Sequence, residues 1–305
     1  MRHLTTSFDL SRADLEHIFA VSEDLKTKFA TGLREPLLPG RVMALLFEKP
    51  SLRTRVSFEA GMTQLGGGAM FLGDDVGFGK RESVEDFCRV LSEYVDVIVA
   101  RTFSHKTIED LATHCTAAVI NGLSDEEHPC QAVADLLTAR ERFGQLSGLK
   151  LAWVGDGNNV ARSLATACCK MDMSFVAACP EGYQLDDAYV KKLGVEVPGA
   201  QFQQTSDPLS AVQDADIVYT DVWASMGQEA EQAQRAKDFA PFRVNNELMA
   251  AASTNAIFMH CLPAHRGDEV TAEVIDGPQS VVIQQAGNRM HAQKGILAWL
   301  LASQG

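Results

Sequence analysis

Val42-Met-Ala-Leu-Leu-Phe-Glu-Lys-Pro-Ser-Leu-Arg-Thr-Arg-Val-Ser-Phe58 is the stretch on which the reading of this chain turns. Its first five residues form an uninterrupted apolar run that suits a short buried strand. From Val56 to Leu65 apolar residues recur at helical spacing. Pro50 and Ser51 stand at the junction, where a proline near the first turn and a hydroxyl cap mark a helix start. Ser51, Arg53, Thr54 and Arg55 therefore lie on a strand-to-helix turn. Backbone N–H groups point outward there and the helix dipole is positive. With two hydroxyls and two guanidiniums close by, the turn has the donors that hold a phosphate. The plainer reading is a capped surface helix with arginines in solvent.

The same strand-then-helix pattern extends in both directions. Residues 8–32 have helical period, with Asp9, Ser11 and Asp14 as candidate caps. After the opening stretch come a short strand, Ala69–Leu72, and a glycine-rich charged loop, 73–81. A helix follows over Glu82–Tyr94, a strand over Asp96–Arg101, a helix over Thr107–Cys115 and a strand over Ala118–Asn121. His128-Pro-Cys-Gln131 opens a long helix to about Phe143. Gly144-Gln-Leu-Ser-Gly148 is the best candidate domain boundary. Beyond it, strands are expected at Lys150–Gly155, Ser174–Ala178, Asp216–Asp221, Asn255–His260 and Ser280–Ile283. Helices are expected at Val160–Met171 and Asn288–Leu301. Alternating strands and helices are the signature of parallel sheets covered by helices. The expected fold is α/β, two doubly wound parallel-sheet domains (Rossmann-like), with ligands in the cleft at the carboxyl ends of strands. The domains run over 1–144 and 145–287, with a terminal helix over 288–305.

Composition bounds the partners. The chain has 305 residues, 46% hydrophobic and 22% charged, with a formal net charge of −13. Such a surface offers no long-range attraction to nucleic acid or to an anionic membrane. Seven cysteines, an odd number, include no C-x-x-C pair, which fits buried thiols in a reducing cytoplasm and neither a disulfide framework nor a zinc site. No signal peptide and no membrane-spanning run is apparent.

The residues at strand ends fall into two sets. Ser51, Arg53, Thr54, Arg101, His128 and Gln131 are cationic and rich in donors, and suit a phosphate or acyl phosphate. Gly155-Asp-Gly-Asn-Asn159, Asp221, Ser225-Met-Gly227 and His260-Cys-Leu-Pro263 combine a carboxylate, amides and a thiol, and suit an amino-acid-like molecule. That division suggests transfer from a phosphorylated donor to an amine. Each residue also has a plainer reading. Arg101 is equally a rim ion pair, His128 a packed residue before a helix, Cys261 a buried thiol and Asp221 a cap. Gly155-Asp-Gly-Asn-Asn159 resembles half a dinucleotide fingerprint. It lacks the third glycine, and the next strand ends without the expected acid, which speaks against a nicotinamide enzyme.

Ser51-Leu-Arg-Thr-Arg55, His128-Pro-Cys-Gln131, Asp221-Val-Trp-Ala-Ser-Met-Gly227, His260-Cys-Leu-Pro263 and Asn288-Arg-Met-His-Ala-Gln-Lys294 together resemble the aspartate/ornithine carbamoyltransferase family, over nearly the whole chain and in the family's order. Within it they are similar to the ornithine branch, because the acid-plus-Ser-Met-Gly loop is what that branch uses for ornithine. The resemblance implies transfer of the carbamoyl group of carbamoyl phosphate to the δ-amine of L-ornithine, without metal or cofactor. It implies that Ser51, Leu52, Arg53 and Thr54 hold the phosphate. Arg101, His128 and Gln131 would surround the carbamoyl group, with Arg289 adding a cation. Cys261 and the backbone at Leu262 would lie beside the attacking amine. Asn159, Asp221, Ser225 and Met226 would hold ornithine. Arg101, His128 and Cys261 are the implied catalytic residues. The family also implies a homotrimer with sites at subunit interfaces and a terminal helix that packs back on the first domain. Two departures stand out: Leu52 where the family often has Thr, and Gly77 where a loop reaching the neighbouring subunit often carries Gln. A related acceptor, putrescine or an N-acylated ornithine, is the alternative within the family.

Overall fold

The structure, a computed structural model, describes residues 2–224 and 229–301. The chain divides into two compact units: Met1–Leu137 with Gly287–Gly305, and Thr138–Ala286.

The first unit holds α1 (Arg12–Ala30), β1 (Val42–Phe47), α2 (Leu52–Gln64), β2 (Gly68–Leu72), α3 (Val84–Ser92), β3 (Val97–Arg101), α4 (His105–His114), β4 (Ala118–Leu123) and most of α5 (Pro129–Phe143). The strands form a parallel sheet in the order β2-β1-β3-β4. β1 and β3 are central and read as continuous apolar runs, because helices cover both faces of a parallel sheet. α1 starts where its caps predict. The Ser11 hydroxyl accepts from the Asp14 N–H at 3.1 Å, and the Asp14 carboxylate accepts from the Ser11 N–H at 3.0 Å.

The second unit holds β5 (Lys150–Val154), α6 (Asn159–Lys170), β6 (Ser174–Ala178), α7 (Asp187–Glu196), β7 (Gln201–Thr205), α8 (Pro208–Val212), β8 (Ile217–Thr220), α9 (Gln232–Asp238), α10 (Asn246–Ala251), β9 (Ile257–His260) and α11 (Ala272–Ile275). Its sheet is also parallel, in the order β7-β6-β5-β8-β9. α12 (Val282–Leu301) starts here and continues into the first unit. There it lies against α1. A Cβ at Gly295 would stand 2.2 Å from Ser22 Oγ and 2.7 Å from Ile18 O, so glycine is what permits the approach. The Trp299 indole N–H donates to Asp14 at 2.8 Å.

Each strand order reverses at one point: between β1 and β3 in the first unit, and between β5 and β8 in the second. The loops leaving the two strands diverge there, which opens a crevice at their carboxyl ends. One expectation is corrected. Residues 280–283 form no strand. Ser280 makes a single bridge to Phe258, and α12 begins at Val282. Val281, Val282 and Ile283 suit a strand or a buried helix equally, and the pull of a long helix wins. The chain between 179 and 215 gave no signal for α7, β7 and α8. β7, Gln-Phe-Gln-Gln-Thr, is a polar edge strand.

Candidate active site

At the first crevice, Ser51 caps α2. Its hydroxyl accepts weakly from the Thr54 N–H at 3.4 Å and donates to Thr54 Oγ1 at 3.0 Å. Arg289, on the buried face of α12, donates to the same Thr54 oxygen at 2.7 Å. Both lone pairs of that hydroxyl are thereby used, and its hydrogen remains to be donated to a ligand. The first-turn N–H groups of Leu52 and Arg53 lie at the positive end of the α2 dipole. Leu52 itself is exposed. Arg55 is turned away, bonded to Glu59 at 3.0 Å with its guanidinium 3.9 Å over the Phe71 ring, so of the two arginines on this turn only Arg53 remains for the crevice.

Arg101 ends β3 and is buried, as are His128 and Gln131 at the start of α5. Burial, and then the positive charges of Arg289 and Arg101, hold the His128 imidazole well below its ordinary pKa. It is therefore neutral at physiological pH, between two cations. Gln131 donates from Nε2 to Asp135 at 2.8 Å, while its Oε1 is buried and accepts no hydrogen bond among the described residues. Lys49 adds a cation that the sequence reading passed over. Burial and then the Arg101 charge lower its pKa.

At the second crevice, Asp221 follows β8 and is buried. One carboxylate oxygen accepts from the Val222 N–H at 2.8 Å and from the Cys261 thiol at 3.0 Å. The other accepts from the Asn158 amide at 2.9 Å. Asn158 is also the cap of α6, its side-chain oxygen accepting from the N–H groups of Val160 at 3.0 Å and Ala161 at 3.1 Å. Asn159 is the first residue of that helix and is half-buried.

Cys261-Leu262-Pro263 is held from behind. Leu262 has φ +58° and donates its N–H to His260 Nδ1 at 2.9 Å. The other ring nitrogen of His260 lies 3.2 Å from Glu269, and the two fully buried side chains form one hydrogen bond. Burial pushes the Glu269 carboxyl up, but hydrogen bonds from His260 and the His265 N–H outweigh it and hold the group below the usual carboxylate range. Asp221, His260 and Cys261 bring potential metal-ligating atoms within 4.8 Å of one another. Both His260 nitrogens are already committed, so that trio lacks an available imidazole. The half fingerprint at 155–159 has its own explanation. A Cβ on Gly157 would stand 2.6 Å from the Leu185 backbone nitrogen, so the glycine serves close packing of the chain at 183–185.

Residues 2–141 match the family model described as the carbamoyl-P binding domain of aspartate/ornithine carbamoyltransferase, and residues 147–300 match its Asp/Orn binding domain. The chain belongs to the aspartate/ornithine carbamoyltransferase family. An ornithine carbamoyltransferase of Symbiobacterium thermophilum is 53% identical over 304 residues, covering 99% of this chain and 98% of its own length. That of Anoxybacillus flavithermus is 52% identical over 299 residues, covering 97% and 95%. The solved ornithine carbamoyltransferase of Pyrococcus furiosus superposes with a TM-score of 0.94 at 49% identity, covering 97% of this chain and 96% of that one.

Of the residues drawn from the carbamoyltransferase resemblance, Ser51, Leu52, Arg53, Thr54, Arg101, His128, Gln131 and Arg289 lie in the first unit, and Asn159, Asp221, Cys261 and Leu262 in the second. Hydrogen bonds tie Ser51 to Thr54 and Thr54 to Arg289. Charge effects tie Arg289 and Arg101 to His128. Ser225 and Met226 lie outside the described residues. Asn158 stood within the strand-end set without a role of its own, and Glu269 and Lys49 stood outside it. Asn158 had a signal, since Asn before an apolar helical run is a strong cap. Nothing near Glu269 in sequence points to a histidine nine residues away.

Proposed function

We infer that this chain transfers the carbamoyl group of carbamoyl phosphate to the δ-amine of L-ornithine, giving L-citrulline and phosphate. The observation that carries the reading is the neutral, buried His128 flanked by Arg101 and Arg289, beside the capped start of α2. A carbamoyl group presents a carbonyl oxygen and an N–H₂. Arg101, His128 and the Thr54 hydroxyl supply donors for the first, and the open Gln131 Oε1 is an acceptor for the second. The N–H groups of Leu52 and Arg53, with the Arg53 and Arg289 guanidiniums, suit the phosphate. On the acceptor side, Asp221 offers a carboxylate to an ammonium group, with Asn159, Ser225 and Met226 as the remaining contacts. The Leu262 N–H is used by His260, which leaves Leu262 O to accept from the reacting amine. Cys261, bonded to Asp221, lies beside it.

The chemistry follows from those groups. The neutral amine attacks the carbamoyl carbon, and the oxyanion of the tetrahedral species is stabilised by Arg101, His128 and Thr54. A neutral imidazole can donate there without having to lose charge first. Phosphate leaves into the arginines, and one of its oxygens takes the amine proton. Positioning and preorganised charge supply most of the rate. Ornithine's δ-ammonium has a reference pKa of about 10.4, so the rate rises with pH over the neutral range. We further propose a homotrimer acting in the cytoplasm in arginine metabolism. The anabolic name of the Pyrococcus furiosus relative favours the biosynthetic direction.

The test is citrulline formation from carbamoyl phosphate with L-ornithine, putrescine, N-acetylornithine or aspartate as acceptor. Selective turnover of ornithine, faster at alkaline pH and lost in Arg53→Ala, is expected. Turnover of another acceptor instead would overturn the reading of Asp221 and Asn159.

A further inference from the structure

The turn that follows Cys261-Leu262-Pro263 brings three ligand-type side chains together. Gly267 has φ +96°, a conformation that L side chains rarely adopt. Two backbone bonds close the turn: the Asp268 N–H donates to the His265 carbonyl at 3.0 Å, and the Gly267 N–H to the Val270 carbonyl at 2.9 Å. His265 Nδ1, a carboxylate oxygen of Asp268 and one of Glu269 all lie within 4.8 Å of one another. His265 and Asp268 are exposed, whereas Glu269 is buried and anchored. The Glu269 carbonyl accepts from the Val244 N–H at 2.9 Å, and the next residue, Val270, belongs to the core of the second unit.

The two oxygens of Glu269 differ. Oε1 is used twice, by the His260 ring at 3.2 Å and by the His265 N–H at 2.6 Å. Oε2 is buried and accepts no hydrogen bond among the described residues. It faces the His265 ring, whose Nδ1 is 3.8 Å away, too far for a hydrogen bond. A buried carboxylate oxygen without a donor is costly, and such an atom calls for an explanation. The neighbouring guanidiniums do not supply one. Arg266 gives both arms to Asp276, at 2.8 and 2.6 Å, and Arg243 Nε donates to the Asp268 carbonyl at 2.8 Å. The Asp268 carboxylate itself makes no hydrogen bond or ion pair among the described residues.

We propose that His265 Nδ1, the Asp268 carboxylate and Glu269 Oε2 bind a divalent transition cation of the zinc type, with water completing its shell. One imidazole and two carboxylates suit Zn²⁺ or Co²⁺, whereas Mg²⁺ and Ca²⁺ prefer oxygen ligands alone. Such an ion holds its ligands at about 2.0–2.2 Å, so tetrahedral neighbours stand about 3.4 Å apart. The present separations close to that value when the two exposed side chains turn onto the fixed Glu269. The ion then gives Oε2 the partner it lacks, and Oε1 keeps His260. Through Glu269 and His260 the site lies two hydrogen bonds from the Leu262 N–H, behind the 260–263 turn. It shares no ligand with the Asp221, His260 and Cys261 trio. The proposal does not depend on which amine the chain carbamoylates.

The experiment titrates untagged, chelator-stripped protein with Co²⁺, followed by visible absorption, and with Zn²⁺, followed by calorimetry. Wild type, His265→Ala, Asp268→Asn and Cys261→Ser are compared. The expected result is one ion per chain and a Co²⁺ spectrum without a thiolate charge-transfer band. Binding is expected to be about tenfold or more weaker in His265→Ala and in Asp268→Asn, and within about twofold of wild type in Cys261→Ser. With the ion at about a hundred times its Kd, the wild-type thermal midpoint rises by about 5 °C or more, and His265→Ala loses that rise. Both ligand substitutions are at exposed positions, and their metal-free midpoints check that they fold. A thiolate band, or binding that disappears in Cys261→Ser, puts the ion on Cys261 and overturns the proposal. So does saturation only at millimolar ion, or a His265→Ala variant that binds as wild type does. Should Cys261→Ser fail to fold, the presence or absence of the thiolate band in the wild type decides.

Discussion

Replacing Asp221 by asparagine changes one atom, and the structure gives the new amide no good orientation. If its oxygen keeps facing the Val222 N–H and the Cys261 thiol, its NH₂ meets the Asn158 NH₂ across the present 2.9 Å. Turning Asn158 over would remove its oxygen from the Val160 and Ala161 N–H groups and uncap α6. Turning the new amide over instead sets its NH₂ against the Val222 N–H. Every arrangement leaves a buried donor facing a donor, which costs about 1–3 kcal/mol. For a unit of this size that lowers the thermal midpoint by roughly 2–4 °C per kcal/mol. The functional cost is separate. A hydrogen bond to a charged group contributes about 1.5–3 kcal/mol, and losing it to the acceptor's ammonium reduces kcat/KM for ornithine roughly 10- to 150-fold. Steady-state kinetics at saturating carbamoyl phosphate, with a melt of the same sample, reads both. A folded Asp221→Asn variant with kcat/KM for ornithine within about threefold of wild type would refute the role given to this carboxylate.

Three further outcomes follow from the first unit. Ser51→Ala removes the α2 cap and one of the two bonds that orient Thr54; a loss of about 1 kcal/mol in denaturant unfolding and a several-fold rise in the carbamoyl phosphate KM are expected. Burial and the Arg289 and Arg101 charges keep His128 neutral in the folded chain, whereas the unfolded chain takes up a proton near pH 6.5. Its contribution to stability is therefore complete above about pH 6.5 and declines as pH falls toward the folded-state pKa. Urea midpoints at pH 7.5 and 5.5 should differ less in His128→Gln than in the wild type. Lys294 is buried, and burial followed by the Arg34 charge pulls its pKa down to about 8. The unfolded chain holds that proton to about pH 10.4, so stability gains from this group as pH rises between the two values. Lys294→Met should remove that gain and raise the thermal midpoint at pH 7.

Much of this architecture was legible because parallel sheets write strongly in sequence. β1, β3, β5 and β8 are central strands, covered on both faces, so each appears as a largely apolar run. Two of them lead into candidate site residues: β3 ends in Arg101, and Asp221 stands just after β8. β7 was silent because an edge strand need not be apolar, and 281–283 misled because β-branched residues serve a buried helix as well. The site residues found early were those next to strand ends or inside a motif. Glu269, which lay outside that set, acts through space. Asn158 stands beside the expected Asn159, and the cap geometry of α6 gives it a part of its own, the bond to Asp221. Glu269 reaches His260 from nine residues away, and Arg235 reaches Asp156 from seventy-nine. No local pattern records such pairings, because they are set by how helices fold back over a sheet.

The two units solve one topological problem with opposite electrostatics. Each has a parallel sheet whose strand order reverses once, and the loops that diverge at that reversal carry candidate site residues: Ser51, Arg53, Thr54 and Arg101 after β1 and β3 in one, and Asn159 and Asp221 after β5 and β8 in the other. In the first unit, Arg101 and Arg289 stand around a neutral histidine, and the nearest helix start adds backbone donors. The result is cationic in a chain whose net charge is −13. In the second, the helix start at α6 is closed by the Asn158 side chain, so its N–H groups are spent internally, and the charge on offer is the Asp221 carboxylate. Both helix starts are capped, but Ser51 takes up one N–H of α2, that of Thr54, whereas Asn158 takes up two of α6, those of Val160 and Ala161. On the function proposed above, the serine cap leaves the Leu52 and Arg53 N–H groups for a phosphate, and the asparagine cap leaves the Asp221 carboxylate for an amine. The dinucleotide-like glycine turn at 155–159 has a packing role instead. Gly157 is consumed by backbone packing against Leu185, and the N–H groups that would meet a phosphate already have a partner.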